Sequence, residues 1–153
     1  TTNANLFIPN GGVYELGIMM SAMHNDWMRV VCGRLESRYR YSASVVYNCF
    51  PWPEVSVEQK NNIEALAEEV LLIREDYPTK TLAELYDPDH MPESLRAAHK
   101  ALDAAVDRLY RTKRFTDASE RVSHLFELYS ILRDHKPEGA ADSEESEELE
   151  AGA

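Results

Sequence analysis

Residues 33–53, GRLESRYRYSASVVYNCFPWP, are where the period of the chain changes. Before them apolar residues recur every three or four positions, within them every two, and after them every three or four again. Tyr39, Tyr41, Ala43, Val45, Tyr47 and Cys49 occupy one set of alternate positions, and Glu36, Arg38, Arg40, Ser42, Ser44 and Asn48 occupy the other. Successive side chains of a strand point to opposite faces, and aromatic and β-branched residues suit that pleated surface. The pattern predicts a strand, or two strands joined near Ser42 to Ser44, that buries the tyrosine face and presents Glu36, Arg38 and Arg40 outward. Pro51 and Pro53 end it, because proline cannot donate to a ladder and holds the preceding residue extended.

Working outward, Leu16, Met20, Met23, Trp27, Val30 and Val31 follow the Asn10-Gly11-Gly12 turn at helical spacing. They predict one helix over about 14–32, with Gly33 as a left-handed cap. Downstream, Ser56 and Gln59 form a capping box ahead of Ile63, Leu66, Ala67, Val70 and Leu71, a stripe running to about Tyr77. Thr81 with Glu84 starts a short helix through Tyr86. Pro92 stands in the first turn of a helix carrying Leu95, Ala98, Leu102, Ala105, Val106 and Leu109. Asp117 with Glu120 caps a last helix bearing Val122, Leu125, Phe126, Tyr129 and Leu132. The expected fold class is mainly α: a C-terminal bundle of about four helices, preceded by one helix and a short β element. The expected divisions are 1–53, 54–136 and a tail at 137–153.

The formal charge is −11, of which seven acids and no base lie in 137–153. A polar, single-sign segment cannot bury enough apolar surface to order itself, so the tail is expected to be solvated and disordered. The body before it carries −4, yet residues 1–53 are net +1, with all their basic charge between Arg29 and Arg40. No run approaches the ~20 apolar residues that span a bilayer, and the N-terminus has neither the basic start nor the apolar run of a signal peptide; a cytoplasmic location without membrane partners is expected. The chain enters an apolar segment within a few residues and lacks an initiator methionine, as expected of a piece of a longer polypeptide. Cys32 and Cys49 fit neither a disulfide framework nor a zinc site and are expected to be reduced, half-buried thiols.

Catalytic motifs are absent from the sequence: there is no glycine-rich phosphate loop, GxSxG or HExxH, and the five histidines show no ligand spacing. No catalytic residue, metal ligand or cofactor site is assigned. Asn48 near Pro51 and Pro53 lacks the contiguity of an Asn-Pro-Pro-aromatic motif, and Pro51-Trp52-Pro53 reads as a rigid hinge ahead of a docking peptide. His99, Asp103, Asp107 and Tyr110, one turn apart, read as an exposed face or an interhelical hydrogen-bond network ahead of an acid/base cluster. Glu36, Arg38 and Arg40 admit two readings. In one, opposite charges pair across an exposed strand for ~0.2–1 kcal/mol, and the helices serve as a protein-interaction or scaffold module. In the other, the arginines donate to guanine O6 and N7 while the glutamate accepts from the cytosine amino group; the overall acidity then requires phosphate-neutralising residues elsewhere in the polypeptide.

The motifs GRLESRYRYS, YNCFPWP, LYDPDHMPESLRAAH and LDAAVDRLY resemble the C-terminal region of MmeI-like single-chain restriction-modification enzymes. The resemblance covers roughly residues 5–135. It implies that residues 1–53 end a DNA target recognition domain and that 54–136 form the helical domain behind it. It implies a parent polypeptide that is a site-specific adenine-N6 methyltransferase using S-adenosylmethionine, with an endonuclease requiring Mg2+, whose catalytic domains lie upstream in the same chain. The implied partner is double-stranded DNA, and the implied base-reading residues are Glu36, Arg38 and Arg40, with Arg34, Ser42 and Ser44 as backbone-contacting or supporting groups. In that family the positions of Glu36 and Arg38 vary together with the recognised base pair, Lys-x-Asp being the common alternative.

Overall fold

The computed structural model describes residues 7–35 and 38–134. The described residues are mainly helical, with six α-helices among them: α1 Val13–Met20, α2 Ala22–Val31, α3 Val57–Glu75, α4 Leu82–Leu85, α5 Glu93–Tyr110 and α6 Ala118–Asp134. Between α2 and α3 lie two short strands, β1 Gly33–Leu35 and β2 Arg38–Arg40, and a π-helical segment, Ala43–Tyr47. No described helix is long and apolar enough to cross a membrane. The acidic tail and Glu36 lie outside the described residues.

The capping signals are found where the sequence puts them. Ser56 accepts from the Gln59 amide at 3.2 Å while the Gln59 side chain accepts from the Ser56 amide at 2.8 Å, and Thr81 with Glu84 repeats the arrangement ahead of α4. Asp117 accepts from the Glu120 amide at 2.9 Å, but the Glu120 carboxylate reaches past it to the Thr116 amide at 2.7 Å. That bond, with help from Arg111, pulls the Glu120 carboxyl down to about 2. Pro92 stands one residue before the first turn of α5, as its N-cap. The stripe of α3 stops at Glu75, two residues short of Tyr77.

The helix expected over 14–32 is instead two helices. Ser21 between them is extended (φ −70°, ψ 158°). Its hydroxyl donates to the Ile18 carbonyl at 2.6 Å and accepts from the His24 amide at 3.4 Å. The Ala22 amide freed by the break donates to Asp103 Oδ1 of α5 at 2.7 Å. The core face changes with it. Met23 and Trp27 are buried as expected, but Tyr14 and Ile18 replace Leu16 and Val30, which are exposed. Gly33 is not a left-handed cap: extended Cys32 ends α2, and Gly33 opens β1. The one non-glycine residue with positive φ among those described is Asn10 (58°), in the turn that the Asn-Gly-Gly run predicts.

One hydrophobic core crosses residue 53 without a break, with Ile18, Met23, Trp27, Val46 and Phe50 packed against Ile63, Val70, Leu102, Val106 and Leu125. α1 lies close on α3, where a Cβ on Gly17 would stand 2.9 Å from Ile63 Cγ2 and 3.1 Å from Ala67 Cβ. The Pro-Trp-Pro run is a strap over this core. Phe50 and Pro51 are buried, and the Pro51 carbonyl accepts from the Tyr110 hydroxyl at 3.1 Å. Pro51 is enclosed and Trp52 and Pro53 are half-buried, so the run packs on the core.

The polar positions of α5 form an interhelical network. His99 Nε2 bonds the Tyr86 hydroxyl at 2.7 Å, Asp103 caps α2, and Asp107 takes both Nε and Nη2 of Arg121 at 2.8 and 2.9 Å. Arg121 also reaches Asp26 at 3.2 Å. Each member therefore ties α5 to a different segment.

Candidate nucleic-acid interface

The basic cluster of the sequence is a two-stranded antiparallel hairpin at the end of α2. Gly33 pairs with Arg40, Arg34 with Tyr39 and Leu35 with Arg38. The strand, or pair of strands joined near Ser42 to Ser44, expected from residue 36 is instead two three-residue strands, both ending by Arg40, and Glu36 lies outside the described residues. Arg38 and Arg40 occupy alternate positions of β2, Arg34 lies on β1, and the Arg40 side chain is exposed.

Beyond Arg40 the period-two pattern is not a strand. Ser42 opens the π-helical segment, in which the Asn48 amide donates to the Ala43 carbonyl five residues back at 2.8 Å. This turn reverses the burial that alternation predicts, because Val46 is enclosed while Val45 is 46% exposed. The cause is tertiary: the indole Nε1 of buried Trp27 donates to the Val46 carbonyl at 3.0 Å, drawing that residue inward. Ser42 and Ser44 therefore do not continue the face of Arg38 and Arg40. Their hydroxyls bond each other at 2.9 Å, and Cys49 donates to the Ser44 carbonyl.

The tyrosines divide. Tyr39 is 44% exposed on β2. Tyr41 anchors the hairpin: its hydroxyl shares a 3.0 Å hydrogen bond with His24 Nε2 on α2. Burial pushes the Tyr41 hydroxyl up to about 12, with a smaller contribution from Tyr47, and burial holds His24 down at about 4. The link is therefore neutral to neutral at physiological pH. Behind it, His24 meets Phe50 edge-on at 4.7 Å, and Phe50 packs on Trp27 and Trp52. Sequence reasoning did not single out His24 or Asp26. Both are polar residues at core-facing helical positions, a pattern that signals buried partners.

The described residues thus set a short basic hairpin, anchored through Tyr41, on a helical bundle. Residues 1–54 match the family model of the MmeI target recognition domain, and residues 55–135 match that of the MmeI C-terminal domain. The chain belongs to the MmeI family. It is 47% identical over 131 residues to DNA methyltransferase A of Bacillus subtilis (strain 168), covering 86% of this chain and 15% of that protein. It also resembles the solved structure of the type IIL restriction-modification enzyme MmeI in complex with DNA, with a TM-score of 0.79 and 47% identity over 83% of this chain and 17% of that one. The chain thus spans about 15% of the length of the curated relative it matches.

Proposed function

We propose that this chain is the DNA sequence-recognition module of a restriction-modification enzyme, placing the larger polypeptide on its target through major-groove base contacts from Glu36, Arg38 and Arg40. The observation that carries this reading is the hairpin, with arginines at alternate positions of β2, the Arg40 side chain exposed and a core that braces it from behind. Alternate positions of a strand share a face, and a two-stranded ribbon fits the ~12 Å major groove. Arginine there donates twice to guanine, and glutamate accepts from the cytosine amino group, so Glu36 with Arg38 fits one orientation of a C·G pair. Arg40 then reads a neighbouring pair. Arg34, Ser42 and Ser44 stand close enough in sequence to support the hairpin or touch the DNA backbone.

On the same reading, the parent polypeptide is an S-adenosylmethionine-dependent adenine-N6 methyltransferase that also cleaves DNA. The methyl donor and Mg2+ belong to its other domains. On this reading the chain contributes position, and the chemistry is carried out elsewhere in the polypeptide. Arg40→Ala in the full polypeptide tests the base contact. Selection from a random duplex pool should show preference lost at a single base pair, by about 1–3 kcal/mol, with the remaining positions intact. Weakening that is equal for all sequences would mean that Arg40 touches no base.

A further inference from the structure

The sequence holds a second net-positive stretch. Residues 100–114 carry Lys100, Arg108, Arg111, Lys113 and Arg114 against Asp103 and Asp107, a balance of +3 in an acidic chain. In the fold Lys100, Arg108, Arg111 and Arg114 line a cleft of about 760 Å3 at the C-terminal half of α5 and the α5–α6 loop, with Lys113 on that loop. The loop is tied to itself: Arg111 donates to the carbonyls of Lys113 and Arg114 at 2.9 and 3.2 Å, stacks 3.6 Å from the Phe115 ring and pairs with Glu120 at 2.6 Å. Both carboxylates of the cleft are committed, Asp103 to the Ala22 amide and Asp107 to Arg121. Lys100, Arg108, Lys113 and Arg114 are exposed, and none has an ion-pair partner among the described residues. A basic residue in the last turn of a helix complements its dipole; that accounts for Arg108 and leaves the other three unexplained.

The hairpin and the basic loop follow helices that run in the same sense. Ala22 meets Asp103, and four residues further along each helix Asp26 meets Asp107 through Arg121, so α2 and α5 run in the same sense. The hairpin follows the C-terminus of α2, and the basic loop follows that of α5. Packed helices lie ~8–10 Å apart, close to the ~12 Å width of a major groove. Residues that read base edges from one station therefore have a phosphate strand within reach of the other.

We infer that the cleft of Lys100, Arg108 and Arg114, with Lys113 on the adjoining loop, is a second DNA contact, binding backbone phosphates beside the base pairs faced by the hairpin. This rests on the DNA-recognition reading above, and supplies phosphate-neutralising charge within the chain itself. Phosphate contacts position a protein without selecting sequence, and each one lost flattens the dependence of affinity on salt by about one unit of slope.

The test uses the full polypeptide carrying Arg108→Gln with Arg114→Gln, titrated by fluorescence anisotropy at several salt concentrations against a duplex selected by the wild type and a scrambled duplex. The slope should fall by about 2, both affinities should weaken by the same factor, and the selected sequence should stay unchanged. Arg108→Lys with Arg114→Lys should restore the slope, and Lys80→Gln, removing a distant exposed cation, should leave it intact. An unchanged slope in the glutamine variant, or an equal change per charge in Lys80→Gln, overturns the cleft contact while wild-type selection leaves the hairpin reading standing. Absence of duplex binding by the wild type overturns both.

Discussion

At the scale of single residues, His24 shows what the core asks of a polar side chain. It is almost fully enclosed, gives one nitrogen to Tyr41 and lies edge-on to Phe50. Burial holds its folded pKa near 4, against 6.5 for the free side chain. Between those values the unfolded chain binds a proton that the folded one refuses, so stability rises with pH there. The His24 contribution is whole above about pH 6.5 and is lost as pH falls toward 4, by up to about 3 kcal/mol. His99 is shifted the same way by burial and by Arg74, so the comparison has to be internal. Chemical denaturation of wild type and His24→Gln at pH 7.5 and pH 5 should show a larger loss on acidification in the wild type. Equal losses would mean that His24 titrates normally.

At the scale of elements, Gly17 sets how closely α1 lies on α3. Alanine there gains up to ~1 kcal/mol of helix propensity but drives a methyl to 2.9 Å from Ile63 Cγ2, an atom fixed close to its backbone. Overpacking of this kind costs ~1–3 kcal/mol, so Gly17→Ala should destabilise by about 1 kcal/mol or more in thermal unfolding. Gly33→Ala, with open space around its Cβ, should stay within about 0.5 kcal/mol; equal effects at both sites would refute the close approach. Elements set by neighbours in sequence were legible: the Ser56, Thr81 and Asp117 caps, and the helices behind them, follow from residues three or four positions apart. Elements set from afar were not. Ser21 breaks a helix whose freed amide is satisfied by Asp103, 81 residues away, and Val46 turns inward because Trp27 holds its carbonyl. Alternation beyond Arg40 thus mimicked a strand where packing imposes a π-helical turn. Of the residues proposed to read bases, the basic cluster was legible and the register of β1 on β2 was not, since a period of two does not reveal where a strand reverses.

At the scale of the whole molecule, the recognition segment and the helical bundle share one core. Phe50, Pro51 and Trp27 are covered by α5 and α6, and Arg121 joins Asp26 of the first part to Asp107 of the second. A removed partner at such a site leaves a buried charge uncompensated, so the bundle braces the hairpin and does not merely trail it. Bracing of this kind is what base readout requires, because bidentate contacts depend on tightly held donors. The most direct measurement is the sequence bound and modified by the full polypeptide carrying Glu36→Lys with Arg38→Asp, compared with the wild type by selection from random duplexes. Donor and acceptor exchange places in that variant, so the preferred pair at one position should invert from C·G to G·C while the rest of the site persists. An unchanged preference, or uniform loss of binding with no new preference, would contradict base reading by the hairpin.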